Sequence, residues 1–252
     1  MKKQSNAAAP LIGCAGWNIP KEAAAAFPAA GSHLERYAAV FPVVEINSSF
    51  YKPHRPQTYA RWAESVPEGF RFSVKVPRAI THDAAMRDID DLLARFAGEV
   101  GELKEKLGCL LVQYPPKLGF HDETAREFFM KLEDAFGCMI ACEGRHPSWF
   151  SEIATEVLRE RKVTRVIADP AAGQPGPHVP TTNDIYLRLH GAPRIYYSSY
   201  TQEYLDALVR DLGVHSAAGR QVWCIFDNTA AGEAVQNALD VLRSTGSVPA
   251  AV

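Results

Sequence analysis

Residues 43–51 read VVEINSSFY. The run opens as an apolar strand, and alternation along a strand puts Val43, Glu45 and Asn47 on one face and Val44 and Ile46 on the other. The apolar pair suits a face covered by helices. Glu45 and Asn47 then point to the opposite side of the sheet at its carboxyl end, just before hydroxyls and aromatics follow. A closed parallel barrel has this character: its strands are apolar toward the helices, and polar groups gather at the carboxyl ends of the strands.

Working outward from this stretch, further strand-length apolar runs lie near residues 11–15, 70–76, 109–114, 138–143, 163–169, 185–190 and 222–227, which makes eight. Helical spacing separates most of them. Leu92, Leu93, Phe96, Val100, Leu103 and Leu107 trace one such helix, with Gly108 expected as its C-terminal cap. Ser32 and Glu35 have the spacing of a capping box, and Gly213 and Gly246 follow the helical patterns TQEYLDALVRDL and EAVQNALDVLRST. The exception is PAAGQPGPHVPTTND, residues 170–184, whose four prolines and two glycines predict a long loop after the sixth strand. Strand and helix in alternation mean a parallel sheet. The 252 residues, 47% apolar, suit an α/β fold of the (β/α)8 TIM type, with a single domain over 1–252 and a flexible tail over 1–10. A doubly wound open sheet is the alternative, but no GxGxxG or GxxxxGK[ST] follows a strand, so no nucleotide cofactor is expected.

The formal charge of −2 gives no basic footprint for extended nucleic-acid binding or for an anionic membrane surface. The start, MKKQSNAAAPLIG, lacks the apolar core of a secretion signal, and no later run reaches the length of a membrane span. A cytoplasmic protein is expected. The five cysteines, Cys14, Cys109, Cys138, Cys142 and Cys224, form no CxxC and read as reduced, mostly buried thiols.

The polar-inward pattern of VVEIN recurs. In FRFSVKV, Ser73 and Lys75 oppose Phe72, Val74 and Val76; in MIACEGR, Glu143 and Arg145 share a face; in IYLRLHG, Arg188 and His190 oppose Leu187 and Leu189. Gln113, Asp169 and the pair Asp227-Asn228 close other strands. Burying such charges together is costly unless they pair or meet a ligand, and active sites are where this crowding is used. The bland reading is an internal ion-pair network of Lys75 with Glu45 and Arg188 with Glu143. Among the aromatics after the strands, Trp17, Phe50, Tyr51, Trp149, Tyr196, Tyr197 and Tyr200, each serves either packing or a pocket wall.

The motifs EINSSFY, ITH, LLVQYPP, CEGRHPSWF, YLRLHG and FDN occur in this order over nearly the whole chain, and together they resemble the domain-of-unknown-function 72 family. The resemblance implies a TIM barrel with these motifs around its mouth. It singles out Glu45, Asn47, Ser48, Phe50 and Tyr51, then Thr81, His82, Gln113 and Pro115, then Glu143, Arg145, His146 and Trp149, and last Arg188, His190 and Gly191. This sequence departs from the family pattern at Asp227-Asn228, where a pair of asparagines is usual.

The chemistry that best suits this set is proton transfer on an anionic or polyhydroxylated small molecule. Glu45, Lys75, Glu143 and His190 are the candidate catalytic groups. Asn47, Tyr51, His82, Gln113, Arg145, His146, Trp149, Asp169, Arg188, Tyr200 and Asn228 are the candidate binding groups. Lys75, Arg145 and Arg188 are expected to hold negative charge, Arg188 above all. A glycosidase is a variant that needs two flanking carboxylates such as Glu45 and Glu143. Two further readings stay open: non-catalytic binding of a phosphorylated metabolite or a nucleic-acid end, and a divalent-metal-dependent hydrolase or isomerase using Glu143, Asp169 and His190. Three nearby cations oppose the metal, so none is expected.

Overall fold

The computed structural model describes residues 9–246; residues 1–8 of the expected tail lie outside the described residues, and Pro10 is already buried. The strands are β1 (Leu11–Ala15), β2 (Val43–Ile46), β3 (Arg71–Lys75), β4 (Leu107–Gln113), β5 (Met139–Glu143), β6 (Thr164–Arg165), β7 (Ile167–Asp169), β8 (Ile185–Leu189) and β9 (Val222–Phe226). All pair in parallel, in the order β6-β5-β4-β3-β2-β1-β9-β8-β7. The expected sixth strand is therefore two short strands, divided at Val166. Its first half pairs with β5 and its second with β8, so one segment serves both sides of the seam and the sheet comes round into a TIM-type barrel.

Helices cover the outside: α1 (His33–Ala38), α2 (Ser48–Tyr51), α3 (Pro56–Glu64), α4 (Asp90–Val100), α5 (Asp122–Ala135), α6 (Glu152–Glu160), α7 (Gln202–Ala217) and α8 (Glu233–Ser244). Both bonds of the capping box before α1 are present, and residues 170–184 contain no helix. Two helix ends differ from expectation. Gly213 lies within α7, and the left-handed residue after the helix is Gly219, with φ of 73°. Gly108 lies within β4, because α4 stops at Val100 and a 3-10 turn over Gly101–Lys106 carries the chain to the strand. Its lack of a side chain makes room for Trp223, whose ring would lie 2.6 Å from a Cβ there.

The core has two parts. Between sheet and helices pack Ile12, Val44, Ile46, Phe72, Val74, Leu110, Val112, Leu187 and Leu189, the outward set that alternation dictates. Inside the barrel Val43, Cys109, Leu111, Ala141, Val166, Tyr186, Trp223 and Ile225 form a separate apolar plug. Tyr186 stacks on Trp223 with centroids 6.0 Å apart, near the amino ends of their strands. The plug fills the lower barrel and leaves the inward positions at the carboxyl ends to polar groups. All five cysteines are free, and all but Cys138 are fully buried.

Candidate active site at the barrel mouth

Arg188 is the centre of the mouth. It projects inward from β8, is 0% exposed, and commits all five N–H groups to protein acceptors. Nε and Nη2 form a fork with Glu45 at 3.0 and 2.7 Å; Nη1 donates to Glu143 at 2.7 Å and to Gln113 Oε1 at 3.2 Å; Nη2 donates also to Asp227 at 3.0 Å. Burial alone would lower the guanidinium pKa, but Glu45, Asp227 and Glu143 outweigh it and raise it well above the ordinary value. Arg188 thus has no N–H left for a ligand. The role expected of it as the chief anion partner is not supported by this geometry; it organises three carboxylates instead.

Those carboxylates are satisfied in turn. Glu45, also 0% exposed, accepts from Tyr186 OH at 2.8 Å as well as from Arg188, and Ser73 Oγ lies 2.7 Å from the same phenol. Glu143 accepts from Arg145 Nε at 2.8 Å through the oxygen that Arg188 leaves free. Burial favours a protonated Glu143, yet Arg188, His190 and Arg145 hold it well below the usual carboxylate range. Asp227, buried but lowered by Arg188 and His190, accepts from Asn47 Nδ2 at 3.2 Å. Glu45 and Glu143 converge on one guanidinium rather than flanking a gap, which is not how two glycosidase carboxylates would stand.

Among the described residues, two buried titratable groups at the mouth are left without a hydrogen bond. His190 Nδ1 lies 2.9 Å from Asp227 Oδ2, and because an ionised carboxylate only accepts, Nδ1 carries the proton. His190 Nε2 is buried 3.4 Å from Glu143 Oε1, close enough for an ion pair when protonated but without a hydrogen bond. Burial alone would lower the imidazole pKa; the bond to Asp227 and the Glu143 carboxylate outweigh it and raise the pKa above 6.5. The second group is the Lys75 amine. It makes no hydrogen bond or ion pair among the described residues and sits 4.3 Å from the centre of the Phe50 ring. Burial, then Arg188, push its pKa down from 10.5 to about 8 against the opposing pull of Glu45, Asp227 and Glu143.

Local structure explains this placement. Ser49 Oγ lies within hydrogen-bond distance of the carbonyls of Ile46 and Lys75, at 2.9 and 2.7 Å, which fixes α2 over the end of β3 and Phe50 over the amine. His82 meets the other side of Phe50, with ring centroids 4.9 Å apart, and its Nδ1 lies 2.9 Å from Thr81 Oγ1. His82 belongs to a π-helical turn, Ala79–Asp83, followed by left-handed Ala85 and Met86, a strained backbone of the kind that recurs at functional sites. After β8, Gly191 has φ of 89°, and a Cβ there would meet Ser198 O at 2.6 Å. This glycine lets the next loop bring Tyr196 edge-on to His190, 5.6 Å between centroids, with the phenol 3.5 Å from Arg145 Nη2. Beside the mouth, a cleft of about 400 Å³ is lined by Gly16, Trp17, Asn18, His33, Asn47 and Ser48, and Asn47 Oδ1 is buried without a partner.

The remaining candidates go elsewhere. Trp149 is 1% exposed in the outer core, stacked on Tyr114 at 4.3 Å, and His146 caps the short turn that buries it through Ser148. Asp169 has outward parity in β7 and takes a hydrogen bond from Tyr200, whose hydroxyl is 3.0 Å away. It therefore stands apart from Glu143 and His190, and among the described residues no three His, Cys, Asp or Glu side chains gather as metal ligands. Asn228 ties the loop before α7 to α8 through Ser198 and Asn237. Tyr51 is 78% exposed and packs edge-on against Phe50. Tyr186 was absent from the sequence-based set, although it shares its strand face with Arg188 and His190, which was the available signal.

The family model for "Protein of unknown function DUF72" matches residues 11–251. The chain belongs to the DUF72 family. It is similar to the UPF0759 protein YecE of Escherichia coli K12, 33% identical over 63% of this chain, and the match spans 58% of that protein's length. It is also similar to the UPF0759 protein YunF of Bacillus subtilis 168, 24% identical over 92% of this chain and 93% of the relative. A DUF72 crystal structure from Thermotoga maritima superposes with a TM-score of 0.78 at 26% identity, covering 94% of this chain and 98% of that one. One from Enterococcus faecalis gives 0.79 at 22% identity, covering 94% and 95%, and shows the shared fold. No helix of the described residues is long and apolar enough to cross a membrane.

Proposed function

We propose that this DUF72 protein is an enzyme that moves protons on a small anionic or polyhydroxylated molecule bound at the barrel mouth. One observation carries the reading. Every carboxylate at the mouth is hydrogen-bonded, whereas among the described residues the amine of Lys75 and Nε2 of His190, the two groups whose protons are exchangeable near neutral pH, have no hydrogen-bond partner. A purely structural network satisfies its buried members first. In this reading His190, oriented by Asp227, is the general acid or base; Lys75 is a second group that exchanges a proton near neutral pH; the half-buried Arg145 supplies positive charge; and Asn47 Oδ1 accepts a substrate hydroxyl. The five unpaired thiols fit a reducing, cytoplasmic setting.

The test is turnover in a broad screen of phosphorylated and polyhydroxylated metabolites, with His190→Gln as comparison. The substrate found should lose about 10²–10⁴-fold in rate with the variant. Saturable binding with no turnover of any bound compound would point to a sensor instead.

A further inference from the structure

We infer that Lys75 is a nucleophile that forms a Schiff base with a small hydroxylated aldehyde or ketone. This rests on the acid/base reading of the mouth and narrows its substrate class to carbonyl compounds. The geometry turns on what Arg188 does. Glu45, Glu143 and Asp227 are all within electrostatic reach of Lys75, yet Arg188 binds all three, and among the described residues no carboxylate oxygen comes within ion-pair distance of the amine. Lys75 faces an aromatic ring instead, in a residue only 6% exposed; the ring attracts an ammonium only weakly, and loss of hydration on burial disfavours the charged form more. A lysine kept for charge alone would be placed against a carboxylate. A lysine kept as a nucleophile needs its lone pair free, and this is how Schiff-base lysines are activated.

The step balances within the mouth. The neutral amine attacks the carbonyl carbon, a C–N bond forms, and a proton passes from nitrogen to oxygen to give a carbinolamine. The C–O bond then breaks, the imidazolium of His190 supplies the proton that turns the departing hydroxide into water, and a cationic iminium remains on Lys75. The positive charge is conserved, having moved from His190 to the iminium, where the carboxylates bound to Arg188 face it. A hydroxyl next to the carbonyl suits Asn47 Oδ1, which is an acceptor without a donor.

Reductive trapping on the intact protein tests this independently of turnover. The protein is incubated at neutral pH with glycolaldehyde or dihydroxyacetone and sodium cyanoborohydride, which reduces the iminium to a stable secondary amine, and adducts are mapped by peptide mass spectrometry. Lys75, lowered to about 8, should carry at least about tenfold more adduct than exposed Lys21, Lys52 or Lys117. Lys75→Arg, which keeps the charge, should leave only the surface background. Adduct confined to Lys75 supports the inference whether or not the metabolite screen finds turnover. Adduct on the surface lysines with Lys75 unmodified overturns it, and does so in the wild-type map even if the variant fails to fold; turnover of a non-carbonyl compound alongside that result would leave the acid/base reading standing alone.

Discussion

Asp227 Oδ2 accepts from His190 Nδ1 at 2.9 Å and, through the same oxygen, from Arg188 Nη2 at 3.0 Å. One carboxylate therefore joins the buried charge network to the imidazole at the mouth whose Nε2 is buried without a hydrogen bond. It orients the ring, fixes the tautomer and keeps the imidazole more basic than its burial would allow.

Replacing Asp227 with Asn should lower the His190 pKa, because the amide cannot compensate the imidazolium and burial then weighs more. Titration of the His190 ring protons by NMR measures it directly. An unchanged His190 pKa in Asp227→Asn would show that Glu143 alone sets its basicity. If His190 acts as proposed, the limb of the pH–rate profile that it governs should move down with it.

The same shifts set a pH window for stability. His190 is raised above 6.5, so its contribution is complete below that value and is lost as pH rises through the folded-state pKa. Glu143 and Asp227 are lowered from 4.5 and 3.8, so theirs is complete above those values and is lost as pH falls through the folded-state pKa values. Together they favour the folded state most between about pH 4.5 and 6.5. Melting temperatures should fall below this window and, up to about pH 8 where Lys75 begins to act in the other direction, above it as well, and His190→Gln should flatten that alkaline slope. A slope that survives the substitution belongs to another group.

Arg188→Met should destabilise the fold by about 3–5 kcal/mol, since removing one partner of a buried network strands the others. Here the stranded groups are Glu45, Glu143 and Asp227, of which the first two are almost entirely inaccessible to water. Urea unfolding at pH 7 gives the number. A loss below about 1 kcal/mol would mean that the carboxylates find other partners or protons.

Strand parity made much of this arrangement legible. Glu45, Ser73, Lys75, Glu143, Arg188 and His190 alternate with residues of the outer core, so their inward direction follows from period two alone. Partner choice does not follow from it, because which carboxylate Arg188 meets depends on registers between strands distant in the chain. Asp169 shows parity neglected: it ends a strand but sits on the face of Ile167, opposite Val166 and Ala168, and so reaches Tyr200. Trp149 and His146 follow β5 as the mouth residues do, but the 3-10 turn Pro147–Phe150 directs the indole into the core, where its Nε1 donates to Leu118 O at 3.0 Å. The division of the sixth strand at Val166 had no local signal, since the run 163–169 is uniformly suited to a strand and the break serves barrel closure.

Lys75→Met should have the opposite sign to Arg188→Met and stabilise the protein. The two cations lie in one mouth, but Arg188 is compensated at every N–H and Lys75 at none. A fall from 10.5 to about 8 means that keeping Lys75 charged at pH 7 costs the folded state about 3 kcal/mol. The linkage has a matching sign: between pH 8 and 10.5 the unfolded chain holds the proton that the folded one releases, so stability gains from Lys75 as pH rises through that range. Methionine keeps the unbranched shape against Phe50, removes the charge, and gives back the aromatic contact to the cation, worth about 0.5–2 kcal/mol. The three carboxylates keep their bonds to Arg188. The expected net gain is therefore about 1–3 kcal/mol in urea unfolding at pH 7, accompanied by loss of turnover and of the reductive adduct. Destabilisation by more than about 1 kcal/mol would instead make Lys75 part of the structural network, its charge required by the carboxylates around it.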